Sequence, residues 1–166
     1  QVVTKVDGQY LFGDLDPNSY SVKFSRNDNH SNGVSTADIV KIQRHILGIE
    51  ILNSPYKLIA ADVNANSTIT AADITEIRRL VLGINSKFTK VESWTFIPKS
   101  YVFPNVLAPW YAPREASLTI SKDERFVENF VAVKMGDVND NARAHNVAGS
   151  SSRNNGKLHF EIDNNN

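Results

Sequence analysis

The sequence predicts an α+β fold in which two loop-helix repeats pack with short antiparallel strands from the flanking segments. Two observations carry this. A gap-free internal repeat places apolar residues at helical spacing, and the stretches on either side of it alternate apolar with polar residues between turn pairs.

Residues 1–25 form the first unit. In QVVTKVDGQYLFGDLDPNSYSVKFS, Asp7-Gly8 and Pro17-Asn18 mark turns, while Tyr10, Phe12, then Tyr20, Val22 and Phe24 alternate with polar residues. This predicts two or three strands, too few to bury a sheet alone. They must pack on the downstream segments or complete a β-sandwich begun upstream.

Residues 26–86 hold the repeat. VSTADIVKIQRHILGI from Val34 aligns on ITAADITEIRRLVLGI from Ile69, with about half the positions identical. In each copy a polar loop ends at an aspartate, Asp38 or Asp73. Apolar residues then recur at helical spacing as Ile39, Ile42, Ile46 and as Ile74, Ile77, Val81. Gly48 and Gly83 stand where a C-terminal cap belongs, so each copy predicts an amphipathic helix of about three turns. The stretch around Pro55 reads as a connector.

Residues 87–139 return to β. Trp94, Phe96, Tyr101 and Phe103 predict short strands broken by Pro98 and Pro104, and SLTI and NFVAVKM predict two more. Residues 140–156 have the small, polar composition of a linker, and residues 157–166 read as the first strand of a following module.

Bulk composition excludes several classes of function. The chain has 166 residues, with 18 lysines and arginines against 18 aspartates and glutamates, so net charge draws it to neither nucleic acid nor an anionic membrane. It has no cysteine, hence no disulfide, thiolate metal site or cysteine nucleophile. No apolar run is long enough to insert in a bilayer. Nucleophile-elbow, zinc-protease and phosphate-loop patterns are absent, Glu115, Asp123, Glu124 and Glu128 are too generic to nominate as a glycosidase pair, and the expectation is a non-enzyme. His30, His45, His145 and His159 do not fall at zinc-ligand spacing.

The repeated loop has the chemistry of a calcium cage. Calcium takes six to eight oxygens, which a tight loop supplies from slots 1, 3 and 5, a carbonyl at slot 7 and a carboxylate at slot 12. Counting from Asp62 fills these with Asp62, Asn64, Asn66, the Thr68 carbonyl and Asp73, with Thr70 at the water-bridged slot 9. The upstream copy supplies Asn27, Asn29, Ser31, the Gly33 carbonyl and Asp38, with only Asp38 charged, so it is the weaker seat. The expectation is two Ca²⁺ ions. The competing explanation is local: Ser35 and Thr70 as N-caps, with Asp38 and Asp73 completing capping boxes. One loop alone would not decide between them, but two in the same register favour the ion.

Over about residues 27–84, the paired loops with aspartate at slot 12, and no incoming helix ahead of either, resemble the type I dockerin module. That resemblance implies two half EF-hands related by a pseudo-twofold, and a non-catalytic module of secreted bacterial proteins that docks onto a cohesin. It places the partner contacts at slots 10 and 11 and near slot 18: Thr36 and Ala37, Ala71 and Ala72, Arg44 and Arg79. Thr36, Arg44 and Arg79 offer polar groups to a partner; the alanines offer little. DGQYLFGDLDPNSYSV is similar to the closing strands of Cna-B or SdrD-type sandwiches, which implies a bacterial surface setting. These likenesses imply three roles: docking onto a cohesin-like protein, a calcium-stiffened spacer contacting neighbouring modules of a long adhesin, or an appendage of a polysaccharide-degrading enzyme.

Two weaker patterns remain. GDVNDNARAHN restarts the loop at Asp137, Asn139 and Asn141, but slot 12 would be Ala148, so a turn at a strand end is the plainer expectation. Trp94, Trp110, Tyr111 and Tyr101 could form a sugar platform, though such aromatics more often fill a β core.

Overall fold

The computed structural model describes residues 9–13, 15–122, 126–143 and 159–164, the last stretch by its backbone alone. In chain order the elements are β1 (Asn18–Ser25), α1 (Thr36–Ile46), α2 (Pro55–Ala61), α3 (Ala71–Val81), β2 (Trp94–Pro98), β3 (Glu115–Ile120), β4 (Phe130–Lys134) and β5 (His159–Asn164).

The strands form two antiparallel sheets, one ordered β3-β1-β5 and one pairing β2 with β4. An isolated bridge from Arg26 to Trp94 joins the end of β1 to the start of β2. Tyr20, Val22 and Phe24 point to one face of β1 and are all buried, as their alternation predicts. Val22 stands opposite Ala116 on β3 and Ile162 on β5, so β1 is a central strand.

Two hydrophobic clusters share strand β2, because successive side chains of a strand face opposite ways. Trp94 and Phe96 join Val22 and Phe24 in the smaller cluster, with Tyr10, Phe12 and Phe130 against it. Ile97 faces the larger cluster, which gathers Ile39 and Ile42 of α1, Leu58 and Ile59 of α2, Ile74, Ile77 and Leu80 of α3, and Val133, Met135 and Val138 from β4 onward. Ile42, Ile77 and Ile97 are 0 % exposed, and removing each from water contributes about 2 kcal/mol.

The repeat folds as two matching units. Both helices have eleven residues, and their N-caps Ser35 and Thr70 have φ of −147° and −138°. Each ends with a glycine in the left-handed region, Gly48 at φ +68° and Gly83 at +69°. The amides of Ile49 and Ile84 donate at 2.9 Å to the carbonyls of Arg44 and Arg79, so both ends close by the same reversal.

Several segments differ from the sequence expectations. Residues 55–61 form helix α2, with Pro55 at its first turn, so loop 62–73 does have an incoming helix. The Ser54-Pro55 start and the apolar Leu58–Ala61 run were its signals. Among the described residues before 26, only 18–25 form a strand; 9–13 are irregular and 1–8 lie outside the described residues. Tyr101 and Phe103 are not in a strand: their rings meet edge to face at 5.0 Å and lean on the helical core. Segment 159–164, expected to open a following module, lies antiparallel beside β1. Of the expected linker, residues 140–143 lie against the loop ahead of α1, and 144–156 fall outside the described residues.

Candidate metal centre

In both helices the N-cap hydroxyl meets the backbone of the first turn, and the aspartate three residues on reaches back to the N-cap amide. Asp38 Oδ2 accepts from Ser35 N, and Asp73 Oδ2 from Thr70 N, each at 2.9 Å. Both capping boxes are therefore formed, and the local explanation of these residues is correct as far as it goes. It uses one oxygen of each carboxylate. Asp38 and Asp73 are 0 % exposed, so their second oxygens must also be satisfied inside the protein.

The second oxygen of Asp73 turns into the loop, where Oδ1 accepts from Asn64 N at 3.3 Å. Asp62, at the end of α2, accepts from Asn66 N at 3.0 Å and from Ser67 N at 2.9 Å. Asn64 Oδ1 accepts from Asn66 N, and Asn66 Oδ1 from Thr68 N. Left-handed backbone at Ala65 (φ +56°) and Ser67 (φ +65°) curls the loop, without glycine at slot 6. Side-chain oxygens of Asp62, Asn64, Asn66 and Asp73 thus accept amides of one loop, which runs on through Thr68. Burial raises the Asp62 carboxyl above the usual range, the amides of Asn66 and Ser67 lower it, and the Asp73 charge raises it again. A divalent cation would relieve that repulsion. Two carboxylates, two amide oxygens and a carbonyl are hard donors, which suit calcium. Among the described residues no three His, Cys, Asp or Glu side chains converge as a metal cluster, so any ion here relies on amide and carbonyl oxygens too.

The loop ahead of α1 is arranged differently. Asn27 is exposed and its Oδ1 accepts from Ser93 N at 3.1 Å. Asn29 takes a left-handed φ of +43°, and its Oδ1 accepts from the Ser31 hydroxyl at 3.5 Å. Gly33 has φ +74°, and a Cβ there would lie 2.6 Å from Ala142, so this position needs glycine for space as well as conformation. Among the described residues, no hydrogen bond ties residues 27–33 to the Asp38 carboxylate. Asp38 Oδ1 instead accepts from Val138 N at 3.0 Å and Asn139 N at 3.2 Å. Sequence reasoning missed this junction, although GDVNDN repeating ADVNAN was the available signal. Ala148, which the contiguous count required for closure of that third loop, lies outside the described residues.

Thr36 is exposed at the start of α1. Arg44 pairs with Glu50 at 2.8 Å and Arg79 with Glu76 at 3.1 Å, each arginine about half exposed. Leu47, Ile49, Leu82 and Ile84 at the two helix ends are exposed apolar residues. The aromatic quartet does not form one platform. Trp94 sits in the smaller core, Trp110 and Tyr101 lean on the larger one, and Tyr111 is in solvent.

A buried cation lies under the loop ahead of α1. Lys134 is 4 % exposed and donates to the carbonyls of His30 at 2.7 Å and Met135 at 3.1 Å. Burial lowers its pKa from 10.5 to about 8, with Asp137 opposing the shift. Above pH 8 the unfolded chain therefore holds a proton that the folded chain has released, and unfolding free energy rises with pH. Denaturant unfolding in chelator should show a gain of about 2 kcal/mol between pH 7.5 and 9.5, absent in Lys134→Met. Higher pH is less informative, because burial and Glu128 hold the Tyr10 phenol above its usual value, which gives the opposite slope. A flat profile in the parent protein would contradict the burial of a charged Lys134.

Residues 28–82 match the family model of the dockerin type I domain, so this segment of the chain is dockerin-like. No curated protein and no solved structure matches the chain. Dockerin domains are calcium-binding protein-docking modules, and no described helix is long and apolar enough to cross a membrane.

Proposed function

We propose that this chain is a non-catalytic, calcium-stabilised docking module of a secreted bacterial surface protein, with Asp62, Asn64, Asn66, the Thr68 carbonyl and Asp73 holding one ion. The observation that carries the reading is the inward oxygen of Asp73, which reaches Asn64 across the loop after the helix cap is already made. Ligands that converge only in the folded chain couple binding to folding. The partner face comprises Thr36, Arg44 and Arg79 with the apolar helix ends around Leu47, Ile49, Leu82 and Ile84, and a cohesin-like protein is the expected partner.

A second reading is favoured by the bracing of the helix pair. The Gly136 amide donates to the Ala60 carbonyl of α2, and the Met135 amide to Ser93, so the strand segment after the repeat is built into it. This suits a spacer inside a long adhesin, where calcium sets stiffness and the contacts are with neighbouring modules. Calorimetry with calcium, followed by titration of a cohesin panel onto the loaded protein, separates the readings. Calcium binding with cohesin capture supports docking, and calcium binding without it supports the spacer. No calcium binding at millimolar concentration overturns both.

A further inference from the structure

We propose that a second calcium seat is split across the chain: Asp137, Asn139 and Asn141 supply the first half, and Asp38 closes it from 100 residues away. The template is the contiguous loop 62–73, several of whose contacts residues 137–142 reproduce. Asp137 and Asp62 are buried at 5 % and 7 % exposure, and each is followed by a buried valine, Val138 or Val63. The fifth residue of each loop donates to the first aspartate, Asn141 N at 3.4 Å and Asn66 N at 3.0 Å. The sixth does the same, Ala142 N at 2.7 Å and Ser67 N at 2.9 Å. The fourth residue is left-handed in both, Asp140 at φ +62° and Ala65 at +56°. The third residue donates its amide to the closing aspartate, Asn139 N to Asp38 Oδ1 at 3.2 Å and Asn64 N to Asp73 Oδ1 at 3.3 Å.

An independent observation points to a missing ligand. Asn139 Oδ1, the oxygen at slot 3, is shut off from solvent and has no hydrogen-bond partner among the described residues. A buried amide oxygen left without a donor is costly, and a cation at the centre of the ring satisfies it. Charge agrees: Asp137 and Asp38 bring two carboxylates, as Asp62 and Asp73 do, whereas the contiguous set Asn27, Asn29, Ser31 and Asp38 brings one. Lys134, the nearby buried ammonium, gives its hydrogen bonds to carbonyls and leaves these carboxylate oxygens to the amides.

The two halves are joined where the contiguous loop would simply continue. Asn32 Nδ2 donates to the Arg143 carbonyl at 2.8 Å, and Arg143 N donates back to Asn32 Oδ1 at 3.3 Å. Gly33 packs on Ala142 at that crossing, and Lys57 of α2 holds Asp140 at 2.9 Å. The slot 7 carbonyl falls at this junction, between Gly33 and Arg143. In this assignment Asn27 and Asn29 are spared as ligands.

The inference rests on calcium being the ion of loop 62–73, and the test separates the two. Calorimetric titration of the full chain with calcium should give two ions. Asp62→Ala should remove one, and Asn139→Ala should weaken the other at least about tenfold, the scale seen when a metal site loses a supporting group. The double variant Asn27→Ala with Asn29→Ala should retain both. Asp137→Asn should match Asn139→Ala; if it fails to fold by circular dichroism, Asn139→Ala decides, since it removes the side-chain amide that carries the orphan oxygen and leaves the carboxylates and the backbone amides in place. One ion in the parent, lost in Asp62→Ala, overturns the split seat and leaves loop 62–73 standing. Two ions with Asn139→Ala unaffected and the Asn27/Asn29 variant impaired overturns it in favour of the contiguous loop. No calcium uptake at all overturns both.

Discussion

Asp73→Ala should lower stability in chelator by roughly 2–4 kcal/mol and also abolish the further stabilisation that calcium gives through loop 62–73. Two losses add in the metal-free protein. Asp73's half of the α3 capping box, the acceptor for Thr70 N at 2.9 Å, disappears, worth about 1 kcal/mol. The Asn64 amide, which Asp73 satisfies at 3.3 Å, loses its buried acceptor at about 1–3 kcal/mol. The calcium term is separate, about 2.7 kcal/mol when free calcium is a hundredfold above the dissociation constant. Urea unfolding with and without calcium resolves them. Asp73→Asn provides the control: it keeps most of the cap while removing the charge, so the calcium term should fall far more than the metal-free stability. If Asp73→Ala kept its full calcium response, the ligand assignment would be wrong.

Ile77→Ala should cost about 2–5 kcal/mol, the range for truncating a fully buried isoleucine, and calcium should not restore it. Ile77 is 0 % exposed in the cluster that holds α1, α2 and α3 together with β2 and β4. With domain stabilities of about 5–15 kcal/mol, one such cavity consumes a large share of the total. Its repeat partner Ile42 is equally buried, and Ile42→Ala should show a loss of similar size. The exposed Leu82→Ala is the reference and should change stability by less than about 0.5 kcal/mol. Thermal melts of the three variants in chelator and in calcium test this. A loss in Ile77→Ala that calcium fully reversed would mean that the ion, and not apolar burial, holds the helix pair.

Some of this architecture is legible from neighbouring residues. Apolar spacing located α1 and α3, the LGI endings located their glycine reversals, and alternation located β1, β3 and β4. Local chemistry also put Asp38 and Asp73 at the third position of their helices. Helix α2 was lost because a seven-residue helix is too short to establish a period, and Pro55 suggested a connector. Tyr101 and Phe103 misled as a strand, since pairing depends on a partner that alternation does not reveal.

The sequence by itself determined that two oxygen-rich loops each lead into a capped amphipathic helix, because capping, turning and periodicity act within a dozen residues of chain. Only the tertiary structure decided what meets the second oxygen of each capping aspartate. For Asp73 it is the loop just upstream; for Asp38 it is the segment after β4, brought in as Met135 and Val138 bury themselves in the helical core. That choice belongs to topology, since a hydrogen bond between residues a hundred positions apart exists only once the hydrophobic surfaces between them have been assembled.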